Sequence, residues 1–127
     1  LRKKKLDYPH GTGHGVGYFL NVHEGPVAIS RGYKALLRPG HVMSNEPGFY
    51  KKGKYGIRIE NMIYVKKIKN KIFFENLTMV PIEKELINYN LLSMEEKNYL
   101  LDYNLKIYLN VEKYLNYNER SWLLSQF

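Results

Sequence analysis

The sequence predicts an α+β chain, an antiparallel meander of short strands followed by a helical tail, and three observations carry that prediction. Apolar and polar residues alternate through Ile57 and Ile59 toward Val65, the period of a half-buried strand. The turn signals Pro39-Gly40, Pro47-Gly48 and Lys69-Asn70-Lys71 punctuate the same region. Ser93-Met94-Glu95-Glu96 then reads as a capping box, after which Leu100, Tyr103, Ile107, Val111, Tyr114 and Leu115 recur at helical spacing.

Taken in order, residues 1–9 resemble the end of a helix cut from its beginning. Residues 10–26 hold Gly11, Gly13, Gly15 and Gly17 at every second position; glycine at that density destabilises a helix, so this run is extended or looped. In an extended chain His10 and His14 share a face. Their His-x-x-x-His spacing is therefore not the helical zinc-protease motif, which needs both ligands one helical turn apart. Residues 41–46 follow as a strand, 51–54 as a polar tip, 56–65 as a second strand and 72–77 as a third. Residues 81–90 connect this sheet to the helices. A second short helix is expected over residues 118–126, with Trp122 and Leu123 buried and the aromatic stripe serving as core or subunit interface.

Composition narrows the function classes. The 127 residues suit a globular protein with 44% hydrophobic and 25% charged residues. A net charge of +8 invites phosphate binding. The lysines are scattered, however, over a helix end and turns, with no arrangement of base-stacking aromatics beside them. Solvated surface is the better reading, and no nucleic-acid partner is expected. The absence of cysteine excludes disulfides and thiolate metal sites. No apolar run reaches membrane-spanning length, so no membrane partner is expected.

Chemistry concentrates in a few residues. If the hairpin is centred on Gly53, positions whose numbers average 53 face each other, and Glu46 lies opposite Glu60. Two carboxylates so placed repel by up to about 1 kcal/mol in an exposed sheet, and a cation between them removes the penalty. With His14 they make one imidazole and two carboxylates, a set suited to Mn, Co or Zn. Singly, each has a plainer reading, as a hydrogen-bonded loop histidine or a solvated strand glutamate.

The run His10-Gly11-Thr12-Gly13-His14-Gly15-Val16-Gly17, the segment Leu20-Asn21-Val22-His23-Glu24-Gly25-Pro26, then Asn45-Glu46-Pro47-Gly48-Phe49-Tyr50 and Gly56-Ile57-Arg58-Ile59-Glu60-Asn61 closely resemble the C-terminal half of the catalytic domain of X-prolyl aminopeptidases (aminopeptidase P), members of the pita-bread metallopeptidases. The resemblance extends through Leu77-Thr78-Met79-Val80-Pro81-Ile82 and the helical tail to the eukaryotic cytosolic type. It implies that residues 1–82 form the C-terminal portion of the pita-bread domain and residues 83–127 a helical extension. It further implies two divalent metal ions, with manganese favoured and zinc or cobalt allowed. His14 and Glu46 would bind one ion and Glu60 would bridge both. His10 and His23 would hold the substrate and stabilise the tetrahedral intermediate, Glu46 would shuttle a proton, and Arg58 would support a site carboxylate or histidine. The implied substrate is a peptide with proline second, the implied setting is cytoplasmic, and the tail is compatible with a homodimer.

Two departures qualify this. The family also uses two upstream aspartates as ligands, whereas the only aspartates here are Asp7, too close to the histidine run, and Asp102, on the tail. His41 stands where the family commonly has Met, and reads as a neutral strand residue. The chain is accordingly expected to be part of a longer enzyme, inactive when isolated, with the remaining N-terminal part of the enzyme as its partner. An X-Pro dipeptidase of the same fold and a noncatalytic peptide-binding module are the alternatives; intact His10, His14, His23, Glu46 and Glu60 speak against the module.

Overall fold

The computed structural model describes residues 1, 5–19 and 21–127. The strands are β1 (Gly13–His14), β2 (Ala28–Ile29), β3 (Val42–Asn45), β4 (Gly48–Lys51), β5 (Tyr55–Arg58), β6 (Asn61–Ile68) and β7 (Lys71–Asn76), and the helices α1 (Met94–Val111) and α2 (Tyr117–Ser125). Contacts divide them into two compact units, residues 1–78 and 79–127.

Two residues in left-handed conformation set the pairing of the first unit. Gly53, at φ 70°, turns β4 into antiparallel β5, and Lys69, at φ 53°, turns β6 into β7; a glycine at the first costs nothing sterically. The hairpin is centred on Gly53 as the sequence suggests: Gly48 faces Arg58 within β4–β5, and Asn45 faces Asn61 within β3–β6. The sheet order β3-β6-β7 is the expected meander. The single strand expected over residues 56–65 is instead divided into β5 and β6 at Ile59-Glu60. Pro47 is the reason. Its carbonyl accepts from the Ile59 amide at 3.2 Å, but it has no N–H to return the bond.

Strand β1 lies between β2 and β3. Thr12 and Gly15 donate to Ile29 and Val27, while Glu46 donates its amide to Thr12, and Gly15 bridges Met43. Beneath this junction Val27, Met43, Ile63 and Val65 form a buried cluster joined by Ile29 and Leu37. The helix end read into residues 1–9 falls partly on residues 2–4, outside the described residues.

In the second unit the capping box opens α1 as expected: Ser93 Oγ accepts from the Glu96 amide and Glu96 accepts from the Ser93 amide. That return bond holds the Glu96 carboxyl below its ordinary pKa. Asn116 and Glu119 form a second capping box that starts α2. Tyr103, Ile107 and Leu123 are buried together, with Val111 and Leu115 packed on them. Two aromatics depart from expectation. Trp122 is 63% exposed although its neighbour Leu123 is buried, because adjacent helical residues point about 100° apart and only one can face the core. Tyr114 is 76% exposed, since α1 ends at Val111 and a tighter turn over Glu112–Tyr114 changes the period. Among the described residues no helix is long and apolar enough to cross a membrane.

Met43 is fully buried at the crossing of β1, β3 and β6. Met43→Ala is expected to cost about 2–5 kcal/mol of unfolding free energy, whereas Trp122→Ala should stay within about 0.5 kcal/mol, both read from urea unfolding.

Candidate metal centre

The glycine spacing of β1 has a direct steric cause. A Cβ on Gly13 would stand 2.0 Å from the Ser44 carbonyl oxygen, and one on Gly15 would stand 2.1 Å from that of Glu24. Backbone therefore lies against backbone, which brings the His14 side chain to the end of β3.

There it meets Glu46. The glutamate is 8% exposed, and a carboxylate so enclosed needs partners for both oxygens. Oε1 accepts from Ser44 Oγ at 2.9 Å and faces His14 Nε2 at 3.3 Å. Oε2 accepts from Arg58 Nη1 at 3.0 Å. His14 Nδ1 lies 3.0 Å from the Gly15 carbonyl oxygen, which can only accept, so the proton sits on Nδ1. In the neutral ring Nε2 then presents a lone pair to a carboxylate oxygen. Two lone pairs face each other across 3.3 Å, an arrangement that calls for a proton or a cation between them. An imidazole nitrogen beside a carboxylate is a donor set for a borderline or hard divalent cation, and the Nδ1-to-carbonyl bond is how metal-bound histidines are commonly oriented.

A second group adjoins the first. His10 Nδ1 contacts the Gly11 carbonyl at 2.7 Å, so Nε2 is the acceptor; Tyr50 Oη lies 2.7 Å and Arg58 Nη2 3.4 Å from it. Arg58 Nε also donates to Tyr50 Oη at 2.9 Å. That bond, reinforced by the nearby Glu46 and Glu60 charges, raises the Arg58 pKa above its ordinary value. Arg58 thus ties Glu46 to His10 through Tyr50, a residue that pattern reading alone did not single out. The signal was available in two glycines: a Cβ on Gly48 or Gly56 would collide with the Tyr50 ring, so both make room for it.

The remaining residues are placed as follows. The His23 ring is exposed and packs on that of His14, with centroids 4.1 Å apart. Glu60 falls opposite Glu46 in the register shared by the flanking ladders, but its side chain is exposed. Among the described residues no three His, Cys, Asp or Glu side chains gather as a metal-ligand group. His14 and Glu46 are brought together; Glu60 is not brought to them. His41, half-buried, accepts from the Arg38 amide at 3.1 Å through Nδ1. A cavity of about 320 Å³ opens over the site, lined in part by His10, His14, His23, Tyr33, Glu46 and Arg58.

Comparison with known proteins identifies the family. The model of metallopeptidase family M24 matches residues 1–67, more than half of the chain, and that of the C-terminal region of peptidase M24 matches residues 71–126. The chain belongs to metallopeptidase family M24. Its M24 relatives include a probable Xaa-Pro aminopeptidase P of Fusarium vanettenii, 53% identical over 118 residues that cover 84% of this chain and 19% of the relative. Another, from Botryotinia fuckeliana, is 46% identical, covering 97% of this chain and 21% of its own length. The crystal structure of X-prolyl aminopeptidase from Caenorhabditis elegans, a cytosolic enzyme with a di-nuclear active site, matches with a TM-score of 0.87 at 41% identity, over 98% of this chain and 22% of that one. The mixed α/β architecture is that of the C-terminal part of the pita-bread M24 fold. The chain spans about a fifth of the length of the curated relatives it matches.

Gly13→Ala forces β1 off the Ser44 carbonyl, and overpacking of this kind costs about 1–3 kcal/mol. A lowered thermal midpoint, accompanied by weakened protection of the Glu46 amide in hydrogen exchange, is the expected result.

Proposed function

We propose that this chain contributes the C-terminal part of an X-prolyl aminopeptidase, a dinuclear M24 enzyme that releases the N-terminal residue of peptides with proline in second position. The observation that carries the reading is the buried Glu46 carboxylate facing the His14 Nε2 lone pair at 3.3 Å. In this reading His14, Glu46 and Glu60 would hold divalent ions together with aspartates outside this chain. Manganese is favoured, with zinc or cobalt as substitutes. When bound, such ions acidify water and polarise the scissile carbonyl.

The chain's own residues have separable tasks. Arg58 on Oε2 and Ser44 on Oε1 hold the Glu46 carboxylate at the site, and as the base there that carboxylate would take the proton of the attacking water and deliver it to the proline nitrogen as the C–N bond breaks. His10 and His23 line the cavity and would hold the substrate there, and an N–H of His23 would neutralise the oxyanion that develops at the carbonyl. Arg58 and Tyr50 keep Glu46 and His10 in one orientation. The cytosolic relative supports a cytoplasmic enzyme. Exposed Tyr114, Tyr117 and Trp122 provide apolar surface on which a homodimer could form through the tail.

In the full-length protein Glu46→Gln should lower kcat by about 10²–10⁴-fold on an X-Pro peptide and remove bound manganese, measured by kinetics and metal analysis. Unchanged turnover would contradict the role. The 127-residue chain alone should show no manganese-dependent release from the same peptide. Turnover on longer X-Pro peptides, and not only on X-Pro dipeptides, separates the aminopeptidase from a dipeptidase of the same fold.

A further inference from the structure

We propose that Ser44 is a positioning residue for the metal centre, aiming the Glu46 carboxylate and locking it to the strand that carries His14. This rests on the reading that His14 and Glu46 are metal ligands. Ser44 is 1% exposed and belongs to β3, two positions before Glu46. Residues two apart in extended chain share a face, while the intervening alternation sends Met43 into the apolar cluster. A residue selected only to fill that buried space would be apolar, because an enclosed hydroxyl is costly unless bonded.

The hydroxyl accepts one hydrogen bond and donates one, and both lie at the site. The His14 amide donates to Ser44 Oγ at 3.0 Å. The hydroxyl proton is thereby directed away from the amide and onto Glu46 Oε1 at 2.9 Å. One oxygen atom thus links the backbone of one ligand to the carboxylate of the other. The opposite carboxylate oxygen is held by Arg58, whose side chain is 43% exposed. The buried end of the carboxylate therefore depends on Ser44, and without it the group can rotate about its last bond and present Oε1 elsewhere. Arg58 on one oxygen and Ser44 on the other leave one remaining direction at Oε1, toward His14 Nε2. Groups that orient a metal ligand in this manner change metal affinity by about 10–100-fold when removed.

The test is titration of Mn²⁺ into the metal-free full-length protein by calorimetry, with the visible spectrum of the Co²⁺-loaded protein as a second readout. Ser44→Ala, and Ser44→Cys, which keeps the shape but donates weakly, should each bind Mn²⁺ about 10–100-fold more weakly and shift the Co²⁺ bands. Ser44→Thr, which retains the hydroxyl, should restore both. Wild-type affinity and spectrum in the folded Ala and Cys variants would overturn the proposal, as would failure of Thr to restore them. If Ala does not fold, Cys against Thr gives the same decision. Glu46→Ala is the separating control. If it leaves the metal stoichiometry unchanged, the ligand reading itself fails; if it removes metal while Ser44→Ala and Ser44→Cys bind normally, only the role of Ser44 fails.

Discussion

A carboxylate removed from water must find its compensation within the protein, and that requirement at Glu46 organises the first unit. Its partners come from β1, which carries His14, from the adjoining β3, which carries Ser44, and from the far arm of the hairpin, which carries Arg58. Each stretch is held by a different means. Absent side chains let β1 pack backbone to backbone, the turn at Gly53 sets the register that delivers Arg58, and the Met43 cluster anchors β3 from below.

The interruption at Pro47 belongs to the same design. A continuous ladder would pair every residue from Val42 to Lys51 with the facing arm, with Glu46 as one more pleated position. The missing proline amide separates β3–β6 from β4–β5 at the level of Glu46 and Glu60. The second arm is free to carry its own pair, Arg58 and Tyr50, back toward His10. Acid, arginine, phenol and imidazole thus form one connected network, in which the Gly11 and Gly15 carbonyls assign the proton of His10 and of His14 to Nδ1.

Much of this was legible because the signals were local. The Pro-Gly turns and the polar tip fixed a hairpin centre, and from it the facing of Glu46 and Glu60 follows by arithmetic. The capping box at Ser93 marks α1 because its two bonds span only three residues. What sequence patterning missed depends on contacts between distant residues. Tyr50 acquires its role only when Arg58 and His10 arrive from positions 8 and 40 residues away. Ser44 looks like an ordinary strand residue until the β1 amide meets it. Trp122 was misplaced for a different reason: hydrophobicity alone does not say which of two adjacent helical residues faces inward, and Leu123 takes that place. The exposure of Glu60 was equally hidden, since register states what a residue opposes and not where its side chain points.

The most direct measurement is anomalous diffraction at the manganese edge from crystals of the full-length protein grown with Mn²⁺. An anomalous peak about 2.0–2.3 Å from both His14 Nε2 and a Glu46 oxygen, the range of nitrogen and oxygen ligands to such ions, is the predicted result. A peak elsewhere, with His14 and Glu46 joined only by a proton, would contradict a metal centre built on this pair.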